Sequence, residues 1–463
     1  MCSLLSPPTH YKLFVTCARG VEPFLLEEVT RLGFRASIAG VQDSLLSGSP
    51  LKSENPHNRG VYIHDFAPTS ASAANATNEE QTMDAIFRLN YHSRLATRVL
   101  LPLHSFRIGN LRQRLYKNVR CVPWKRYLPK GRTFAVNARV SSRHHLFDNT
   151  LYVAQHCKDA IIDQWMEAEQ PQHRRKQEGA ERPNVDPHQP DVRVHVMVQR
   201  DEAVISMDTS VKPLHMRGYR KETVEAPLQE TMAALILYMA DFNSQMMADK
   251  EARDGLVFYD PMCGSGTLLA EAAMIATNTA PGFLRESWGF MHLPGFSMKQ
   301  WSQFKQAQDA KRTPLHDQRV TLVGSDIDAQ AIRATATNLA SLELSTVITN
   351  QDGTFSHDGS NDGKSMGSVH LHNIDFRSFM PTRAPTLLAC NAPYGKRLGS
   401  VEDLKPLYRS LGDFMKQRCA KPSQGWILTG STDLVKGIGL RTKRKHIVWN
   451  GGIEARLCHF DLH

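Results

Sequence analysis

Two short segments carry residue types that could do chemistry, and each directly follows a short apolar run. Residues 260–267 read Asp-Pro-Met-Cys-Gly-Ser-Gly-Thr, after the run 256–259 and before a helical pattern. An acidic residue that ends a strand, followed by two glycines before a helix, predicts a turn whose backbone approaches a ligand. Residues 391–394 read Asn-Ala-Pro-Tyr and follow the run 386–390. Together the segments predict a methyl-transfer site, one half for S-adenosylmethionine and the other for a planar amine on a nucleobase.

The second segment offers hydrogen-bond acceptors to an amine. An exocyclic amine on guanine is a poor nucleophile because its lone pair is delocalised into the ring. The side-chain oxygen of Asn391 and the backbone carbonyl of Ala392 can each accept one N–H, which orients the amine and favours charge development on it. Pro393 fixes the turn, and Tyr394 offers a face on which a flipped base can stack. An isolated turn of this sequence is more often structural, but its place at a strand end after the glycines favours catalysis.

The rest of the chain predicts the elements that position these segments. From residue 211 onward, helical and strand patterns alternate, as in a mostly parallel sheet that binds ligands at the carboxyl ends of its strands. Before residue 211, mixed helices and strands with a basic face predict an α+β region. The fold class is therefore α/β, a Rossmann-like methyltransferase domain preceded by an α+β RNA-binding region. The predicted domain ranges are 1–66, 67–210 and 211–463, with polar insertions at 41–60, 67–82 and 351–368.

The chain resembles the THUMP-domain-containing ribosomal RNA large-subunit guanine-N2-methyltransferase family, of which it matches the first half of the fused bacterial enzyme. The two segments above carry the resemblance, together with motifs at residues 11–22, 208–210, 214–220, 226–230, 280–282 and 288–290. One departure is Ala392, which stands where the family has the first proline of Asn-Pro-Pro-Tyr. The substitution keeps the carbonyl acceptor and loosens the turn.

The resemblance implies roles for acidic residues at successive strand ends. The residue that matches Asp260 lies against the methionyl amino group, and the one that matches Asp375 accepts from the adenine amine, with Asp352 as a competing candidate. Asp326, on chemistry and resemblance together, binds the two ribose hydroxyls. The segment 277–319 is then an insertion that similar enzymes share. The predicted binding residues for S-adenosyl-L-methionine are Asp260, Pro261, Gly264, Gly266, Thr267, Asp326 and Asp375.

Two features near the cofactor segment have more specific interpretations. Gly264 and Gly266 are expected where a side chain would obstruct the cofactor. Residues 217–220, Arg-Gly-Tyr-Arg, either line the mouth of the site or tether the linker between the domains. The residue types alone leave these two interpretations of the linker open.

The charge distribution predicts a polyanionic partner. The chain carries a formal net charge of +10, and between Arg107 and His145 there are eleven Lys or Arg residues and no Asp or Glu. A solvated face is the plain alternative, but a run of this length without an acid favours contacts with nucleic-acid phosphates. The predicted RNA-binding residues are Arg112, Arg114, Lys117, Lys125, Arg126 and Arg397.

Composition excludes several other classes. No apolar run approaches the ~18 residues of a transmembrane helix, and the first ten residues lack the pattern of a secretory signal. Eight scattered cysteines without a Cys-x-x-Cys pair favour a reducing compartment and give no support for a metal site. The expected location is the cytoplasm, with an organelle or the nucleus as alternatives, and the oligomeric state is left open.

The leading functional hypothesis is methylation of a guanine N2 amine in large-subunit ribosomal RNA. A transfer-RNA guanine-N2-methyltransferase is the nearest alternative, and an adenine-N6 enzyme is another because a similar turn can hold that amine. From a different class comes a ribosome-assembly factor that binds RNA without catalysis. The complete set of acidic, glycine and asparagine residues argues against that last alternative.

Overall fold

The chain folds around two β-sheets, one in each of two structural units. The computed structural model describes residues 12–39, 59–66, 77–109, 112–140, 146–147, 149–168, 182–199, 201–225, 227–248, 255–351, 353–358, 367–394, 401–450 and 453–463. Unit 1 comprises Met1–Leu214 and Glu286–Phe304, and unit 2 comprises His215–Arg285 and Lys305–His463. A segment from the second half of the sequence therefore belongs to unit 1.

Unit 1 contains a mixed sheet with the strand order β2-β3-β1-β4-β8-β7-β5-β6. Its strands are β1 Leu13–Thr16, β2 Phe34–Ile38, β3 Gly60–Phe66, β4 Arg98–Arg107, β5 Thr133–Val140, β6 Asn184–Val185, β7 Val192–Gln199 and β8 Glu202–Asp208. In β7, valines alternate with other residues along the strand. The four valines are buried on the core side, and the residues between them are half-buried on the opposite face. Strands that precede and follow residue 66 belong to this one sheet. The predicted domain boundary at residue 66 stays a prediction.

Two of the helices in the first 214 residues begin at side-chain capping signals. They are α1 Glu22–Arg31, α2 Asn78–His92, α3 Arg112–Val119, α4 Trp124–Tyr127 and α5 Thr150–Glu167. The apolar pattern predicts a helix over about 82–89, but α2 starts earlier because Thr77 and Glu80 form a reciprocal capping box. Asn149 caps α5 by accepting from the backbone of Leu151.

An aromatic cluster explains why the segment Glu286–Phe304 belongs to unit 1. Trp301 is buried and lies edge-on to Phe87 of α2 and to Phe290, with ring centroids 5.1 Å and 4.9 Å apart. Further rings complete the cluster, and these are Tyr91, Trp288, Phe296 and Phe304. Part of the segment 277–319, which the sequence predicts to be an insertion, therefore belongs to the core of unit 1.

Unit 2 contains the second sheet, with the strand order β12-β11-β13-β10-β9-β14-β15-β17-β16. Its strands are β9 Leu256–Asp260, β10 Val320–Asp326, β11 Ser345–Thr349, β12 Phe355–Asp358, β13 Ser368–Asn373, β14 Leu387–Asn391, β15 Ser423–Thr429, β16 Arg444–Asn450 and β17 Ile453–Leu462. The remaining helices are α6 Glu230–Met239, α7 Phe242–Ala248, α8 Thr267–Ala276, α9 Met298–Asp309, α10 Ala329–Ala340, α11 Val401–Arg418 and α12 Thr432–Gly437. Within the described ranges, the helices are all too short or too polar to cross a membrane.

The direction of the strands places ligands at one edge of this second sheet. Strands β11, β13, β10, β9, β14 and β15 are mutually parallel, whereas β17 runs antiparallel to β15. The strand order reverses between β9 and β14, and such a reversal opens a crevice at the carboxyl ends of the strands. The predicted Rossmann-like fold of this half is confirmed.

The aromatic cluster generates a stability prediction. Trp301→Ala should destabilise unit 1 by about 3–5 kcal/mol, because a large buried ring is replaced by a cavity. Hydrogen exchange should show faster exchange in β4 and β8 and unchanged exchange in β9 and β10. Met298→Ala is the matched control, since Met298 belongs to the same segment and is 58% exposed. Equal exchange in the two variants would contradict the assignment of this segment to the core of unit 1.

Candidate active site

Four strand ends of unit 2 bring the predicted site residues to one edge of the sheet. In the register of the sheet, Asp260 pairs with Gly324 of β10, so Asp326 lies two residues further along. Tyr259 pairs with Leu388 of β14, which places Asn391 two residues beyond the level of Asp260. Since these strands are parallel, their carboxyl ends meet on the same side of the sheet. The two segments singled out from the sequence are therefore neighbours in space.

The glycine loop, residues 260–267, needs its glycines for two different reasons. Both Gly264 and Gly266 have positive φ, +55° and +77°, which favours glycine. A Cβ on Gly266 would lie 2.6 Å from Thr335 Cγ2, so this glycine permits close packing of α10. The structure thus gives a packing reason for Gly266, and the expectation that a side chain there would obstruct the cofactor stays a prediction. Beside Gly264 the nearest atom is Val224 Cγ2 at 3.4 Å, which leaves that side of the loop more open.

Hydrogen bonds hold the glycine loop against β10 and α10. The Cys263 N–H donates to the Ser325 carbonyl at 3.0 Å, and the Ser325 hydroxyl donates to the Pro261 carbonyl at 3.1 Å. The Thr335 hydroxyl donates to the Gly264 carbonyl at 2.8 Å. These bonds fix the backbone of the glycine loop. A ligand can therefore bind to it with little rearrangement of the loop.

Arg220 connects the segment before the domain to the glycine loop. Its guanidinium donates to Ser265 Oγ and Thr267 Oγ1, both at 2.9 Å, and to the carboxylate of Glu230 at 3.0 Å. It also donates to the Leu228 carbonyl at 2.9 Å. Because the Thr267 hydroxyl accepts this bond, the structure gives Thr267 a part in bracing the loop, and its predicted contact with the cofactor stays a prediction.

The linker residues before Arg220 are tied into the core of unit 2. Arg217 and Glu271 form a buried ion pair at 3.3 Å, and the Tyr219 hydroxyl lies 3.4 Å from the same carboxylate. Asn338 of α10 accepts from the Lys221 backbone N–H at 2.7 Å and donates to the Ser265 carbonyl at 3.0 Å. These contacts favour the tethering interpretation of the linker. Sequence reasoning missed Glu271 and Asn338, since a polar residue on a helix carries no local signal of the distant partner that it binds.

Asp260 and Asp326, here called the acid pair, give the site its electrostatic character. Asp260 is 2% exposed, and burial raises its pKa well above the usual range. A hydrogen bond from the Met262 N–H at 3.3 Å opposes this rise, and the charge of Asp326 adds to it. Burial also raises the pKa of Asp326. Two desolvated carboxylates that repel each other form a site that a cationic group would stabilise.

The backbone orients the carboxylate of Asp326. Its Oδ2 accepts from the Gly264 N–H at 2.9 Å, and its Oδ1 accepts from the Asp328 N–H at 3.0 Å. Asp328 caps α10 by accepting from the Gln330 N–H at 2.8 Å, the role that its position predicts. Ile327, between them, is 63% exposed and presents an apolar side chain beside the acid pair.

Asp375 is engaged by a neighbouring arginine. Arg377 donates to both carboxylate oxygens, at 3.0 Å to Oδ1 and 2.5 Å to Oδ2. This hydrogen bonding lowers the pKa of Asp375. A ligand amine would have to share or displace Arg377, so the adenine role of Asp375 stays a prediction. The competing Asp352 lies outside the described residues.

The amide turn, residues 391–394, ends β14 with a buried acceptor. The side-chain oxygen of Asn391 is buried and accepts no hydrogen bond from any described residue. The Ala392 N–H donates to the Leu428 carbonyl at 3.2 Å, which continues the sheet pairing by one residue. An amide oxygen that is buried without a donor is costly, so it marks a place where a ligand N–H can bind.

Residues from β15 and α11 hold the amide turn in place. The Tyr408 hydroxyl donates to the Pro393 carbonyl at 3.2 Å and lies 2.7 Å from the Thr429 hydroxyl, from which it can accept. The Tyr394 ring lies over Gly430, where an added Cβ would be 2.5 Å from Tyr394 Cδ2. Sequence reasoning missed Tyr408 and Gly430, because both contacts depend on pairing between distant elements.

The predicted RNA-binding residues divide into two groups in unit 1. Arg112, Arg114 and Lys117 lie exposed on α3, and the Arg112 guanidinium lies 5.7 Å from the ring centroid of Tyr152. Arg126 pairs with Glu79 at 3.1 Å, and Lys125 lies 5.3 Å from the Trp165 ring. The acid-free run therefore meets carboxylates from distant parts of the chain, which also pair with Arg120 and Arg132. Arg397 lies outside the described residues.

The residues of this edge fit S-adenosylmethionine. The acid pair can hold the ammonium and ribose groups, and the open side of Gly264 admits a ligand against the loop backbone. The unpaired Asn391 oxygen lies on the neighbouring strand, where a methyl acceptor would be needed. The donor set therefore suits a cationic nucleoside beside an amine.

The acid pair generates a prediction about protons. Because burial raises the pKa of Asp260, binding of a cationic ammonium should release a proton from the site at pH values around and below that raised pKa. Calorimetry of cofactor binding in buffers of different ionisation enthalpy should detect this release. Cofactor affinity should fall as the pH falls through the raised pKa, since the protonated acid no longer attracts the ammonium.

Asp260→Asn provides the control for that measurement. The variant should lose the proton release and bind cofactor about tenfold or more weakly, the effect of one charge-assisted hydrogen bond. Without cofactor its melting temperature should rise, because a charged form disfavoured by folding is removed. Proton release that persists in Asp260→Asn would show that another group titrates.

A second prediction separates Asp326 from its neighbour. Asp326→Asn should weaken cofactor binding about tenfold or more, since one charge-assisted acceptor for the ribose hydroxyls is lost. Asp328→Asn should bind as the wild type does, because asparagine caps a helix equally well. Titration calorimetry compares the two variants. Equal affinities would remove Asp326 from the cofactor site.

Comparison with known proteins agrees with this geometry. A THUMP domain matches residues 112–208, and an RMKL-like methyltransferase domain matches residues 217–363 and 360–458. The chain is 32% identical over 462 residues to a ribosomal RNA large subunit methyltransferase K/L of Syntrophotalea carbinolica, covering 97% of this chain and 53% of that protein. The chain thus spans about half the length of such relatives. It is 30% identical to a putative RNA methyltransferase of Synechocystis, of which it covers 96%.

A solved structure shares the fold of the whole chain. A putative methyltransferase complexed with SAH superposes with a TM-score of 0.69 at 22% identity and covers 98% of both chains. Together with the family match, this shared fold supports S-adenosylmethionine as the cofactor. With both domain matches in order along the sequence and a 30% identical relative covered to 96% of its length, the chain belongs to the THUMP-containing, RMKL-like methyltransferase family.

Proposed function

We propose that this chain methylates the exocyclic N2 amine of a guanosine in large-subunit ribosomal RNA. The observation that carries the proposal is the buried, unpaired oxygen of Asn391 at the end of β14, beside the acid pair. The THUMP match and the relatives named as ribosomal RNA methyltransferases support RNA as the substrate. The resemblance of the linker Arg217–Arg220 to the guanine-N2 enzymes favours guanine as the base.

The amide turn would act by orienting the amine. Asn391 Oδ1 accepts one N–H of the amine, and the Ala392 carbonyl accepts the other. Both acceptors become more favourable as positive charge develops on the nitrogen, so they stabilise the transition state more than the bound substrate. S-adenosylmethionine supplies an electrophilic methyl group on its sulfonium. The chain therefore contributes position and charge stabilisation, without a covalent intermediate.

The supports of the amide turn make this role possible. Since Tyr408 holds the Pro393 carbonyl at 3.2 Å, the turn stays ordered although Ala392 replaces the rigid first proline of the family pattern. Tyr394 packs over Gly430 and is half-buried, so part of its ring remains available for stacking with a flipped base. Tyr408 and Gly430 thus support a turn that lacks the first proline.

The amine alone does not distinguish guanine from adenine. The same two acceptors would suit the N6 amine of adenine, and a transfer RNA would present the same guanine N2 amine as a ribosomal RNA. The choice among them depends on which nucleotide the rest of the chain delivers to the turn. Identification of the methylated nucleoside distinguishes guanine from adenine. Comparison of methyl transfer to ribosomal RNA and to transfer RNA distinguishes the two RNA classes.

Substitution of Asn391 tests the proposed chemistry. Asn391→Ala should reduce single-turnover methyl transfer about a hundred- to a thousandfold, the usual effect of losing one acceptor that acts in the transition state. Cofactor and RNA affinities should stay near the wild-type values, because the loss falls on kcat more than on KM. Asn391→Asp is the matched variant and should retain more activity, since it keeps an oxygen acceptor. A wild-type rate in Asn391→Ala would remove the amide turn from the reaction.

A further inference from the structure

One face of the sheet in unit 1 carries a group of arginines that neither the candidate active site nor the predicted RNA-binding residues include. The register places Arg193 and His195 of β7 on the same face as Arg139 of β5 and Asp208 of β8. Arg98, at the start of β4, reaches the same carboxylate. With Arg59, which precedes β3, these residues form what we call the arginine face, consisting of Arg59, Arg98, Arg139, Arg193, His195 and Asp208.

The cations of the arginine face outnumber its acids. Its arginines adjoin two carboxylates, Asp208 and Asp186, of which Asp186 acts on Arg193. Four arginines against two carboxylates leave a net charge of 4 − 2 = +2, with His195 neutral. His195 is neutral because burial lowers its pKa, although Asp208 opposes this shift.

Both carboxylates are already used by the chain itself. Asp208 binds Arg98 through Oδ2, and its Oδ1 accepts from the N–H groups of Ser210 and Val211 at 2.9 and 3.1 Å. Asp186 accepts from the N–H groups of His188 and Gln189, each at 2.9 Å. These acids therefore have few lone pairs left to accept hydrogen bonds from the other arginines, although their charges still act on Arg193.

Two guanidinium nitrogen atoms of the arginine face are left without acceptors among the described residues. The Nε atoms of Arg59 and Arg193 are buried and donate to no acceptor in the described part of the chain. Arg193 uses another nitrogen, Nη1, to donate to Asn137 Oδ1 at 2.8 Å, which fixes its orientation. Burial lowers the pKa of Arg139, and repulsion from Arg59 and Arg98 lowers it further. Two buried donors without acceptors, beside the exposed Arg139 that the neighbouring arginines repel, form a site that an anion would complete.

We propose that the arginine face binds a phosphate group of the RNA substrate. The proposal rests on the proposed function, which supplies RNA as the ligand. Planar guanidinium groups match phosphate oxygens through paired hydrogen bonds, which lysines cannot reproduce. Because the arginines come from several adjacent strands, they can surround a phosphate group of an extended RNA backbone. The site differs from the helical residues Arg112–Lys117, which the sequence predicts, and adds a second phosphate contact within the same unit.

The sequence conceals this site because its arginines are far apart. Arg59, Arg98, Arg139 and Arg193 are separated by about forty to fifty residues each, and only sheet pairing brings them together. Arg139 lies within the acid-free run, but the other three do not. A charge count along the sequence therefore cannot detect the arginine face.

A double substitution tests the proposal. Arg139→Gln with Arg193→Gln should weaken binding of a large-subunit RNA fragment to the full chain about tenfold near physiological salt. The slope of log K against log salt should become shallower by about 0.7–0.9 for each phosphate that the variant no longer neutralises. Arg31→Gln with Lys158→Gln removes the same charge from helices α1 and α5, and it should change both quantities much less. Arg139→Lys with Arg193→Lys keeps both charges but loses the paired hydrogen bonds. This variant should therefore show a salt slope near that of the wild type and an affinity that stays lower.

Two further measurements separate the possible outcomes. Cofactor affinity by calorimetry should be unchanged in the glutamine variant, and methyl transfer should recover at saturating RNA, which shows that the chain is folded. If the wild type methylates RNA while the glutamine variant keeps wild-type affinity and salt slope, the arginine face is not a phosphate site and the proposed function stands. If the wild type binds no RNA at low salt, both the inference and the proposed function fall. If inorganic phosphate protects the wild type against heat through these arginines while RNA affinity is unaffected, the site takes free phosphate instead.

Discussion

The burial of two acids at the carboxyl ends of β9 and β10 is the constraint on which the rest of unit 2 depends. Burial raises the pKa of both Asp260 and Asp326, and the charge of Asp326 raises that of Asp260 further, so the charged arrangement is unfavourable and a cationic ligand would relieve it. Such a site must be held together by its surroundings, since repulsion would otherwise move the loop. The bonds from the Gly264 N–H to Asp326 and from Thr335 to the Gly264 carbonyl provide that support.

The supports of the acid pair extend to the methyl-acceptor side through the sheet. Strand β14 pairs directly with β9, so the position of Asn391 is set by the same backbone that carries Asp260. Arg220 and Asn338 join the linker to the glycine loop, and Tyr408 holds the amide turn. In the proposed reaction, one edge of the sheet would therefore position both the cofactor and the amine. A reaction that depends on alignment, with no covalent intermediate, needs this kind of scaffold.

The sequence predicts the parts of the site that are local and leaves out those that are not. The glycine loop, Asp326 and the amide turn each follow a strand in the sequence, and the structure brings them to one edge. Glu271, Asn338 and Tyr408 could not be identified, because a polar residue on a helix has no local signal of the distant partner it binds. The same limit applies to the segment Glu286–Phe304, whose aromatic side chains pack in unit 1.

Charge shows the limit of local sequence patterns most clearly. The acid-free run from Arg107 to His145 is free of acids only along the chain, since folding brings Glu79 and Asp191 against Arg126 and Arg132. Conversely, the arginine face becomes a concentration of cations only when β4, β5 and β7 lie in one sheet. Predictions of RNA contacts from composition therefore need the pairing of strands before they can name residues.

The identity of the methylated nucleoside tests the central claim most directly. The purified chain would be incubated with large-subunit ribosomal RNA and methyl-labelled S-adenosylmethionine, and the RNA digested to nucleosides for mass spectrometry. The account predicts label in N2-methylguanosine, and none when the cofactor is omitted. Label in N6-methyladenosine alone, or no incorporation into RNA under conditions where the cofactor binds, would contradict the assignment of the amide turn to a guanine amine.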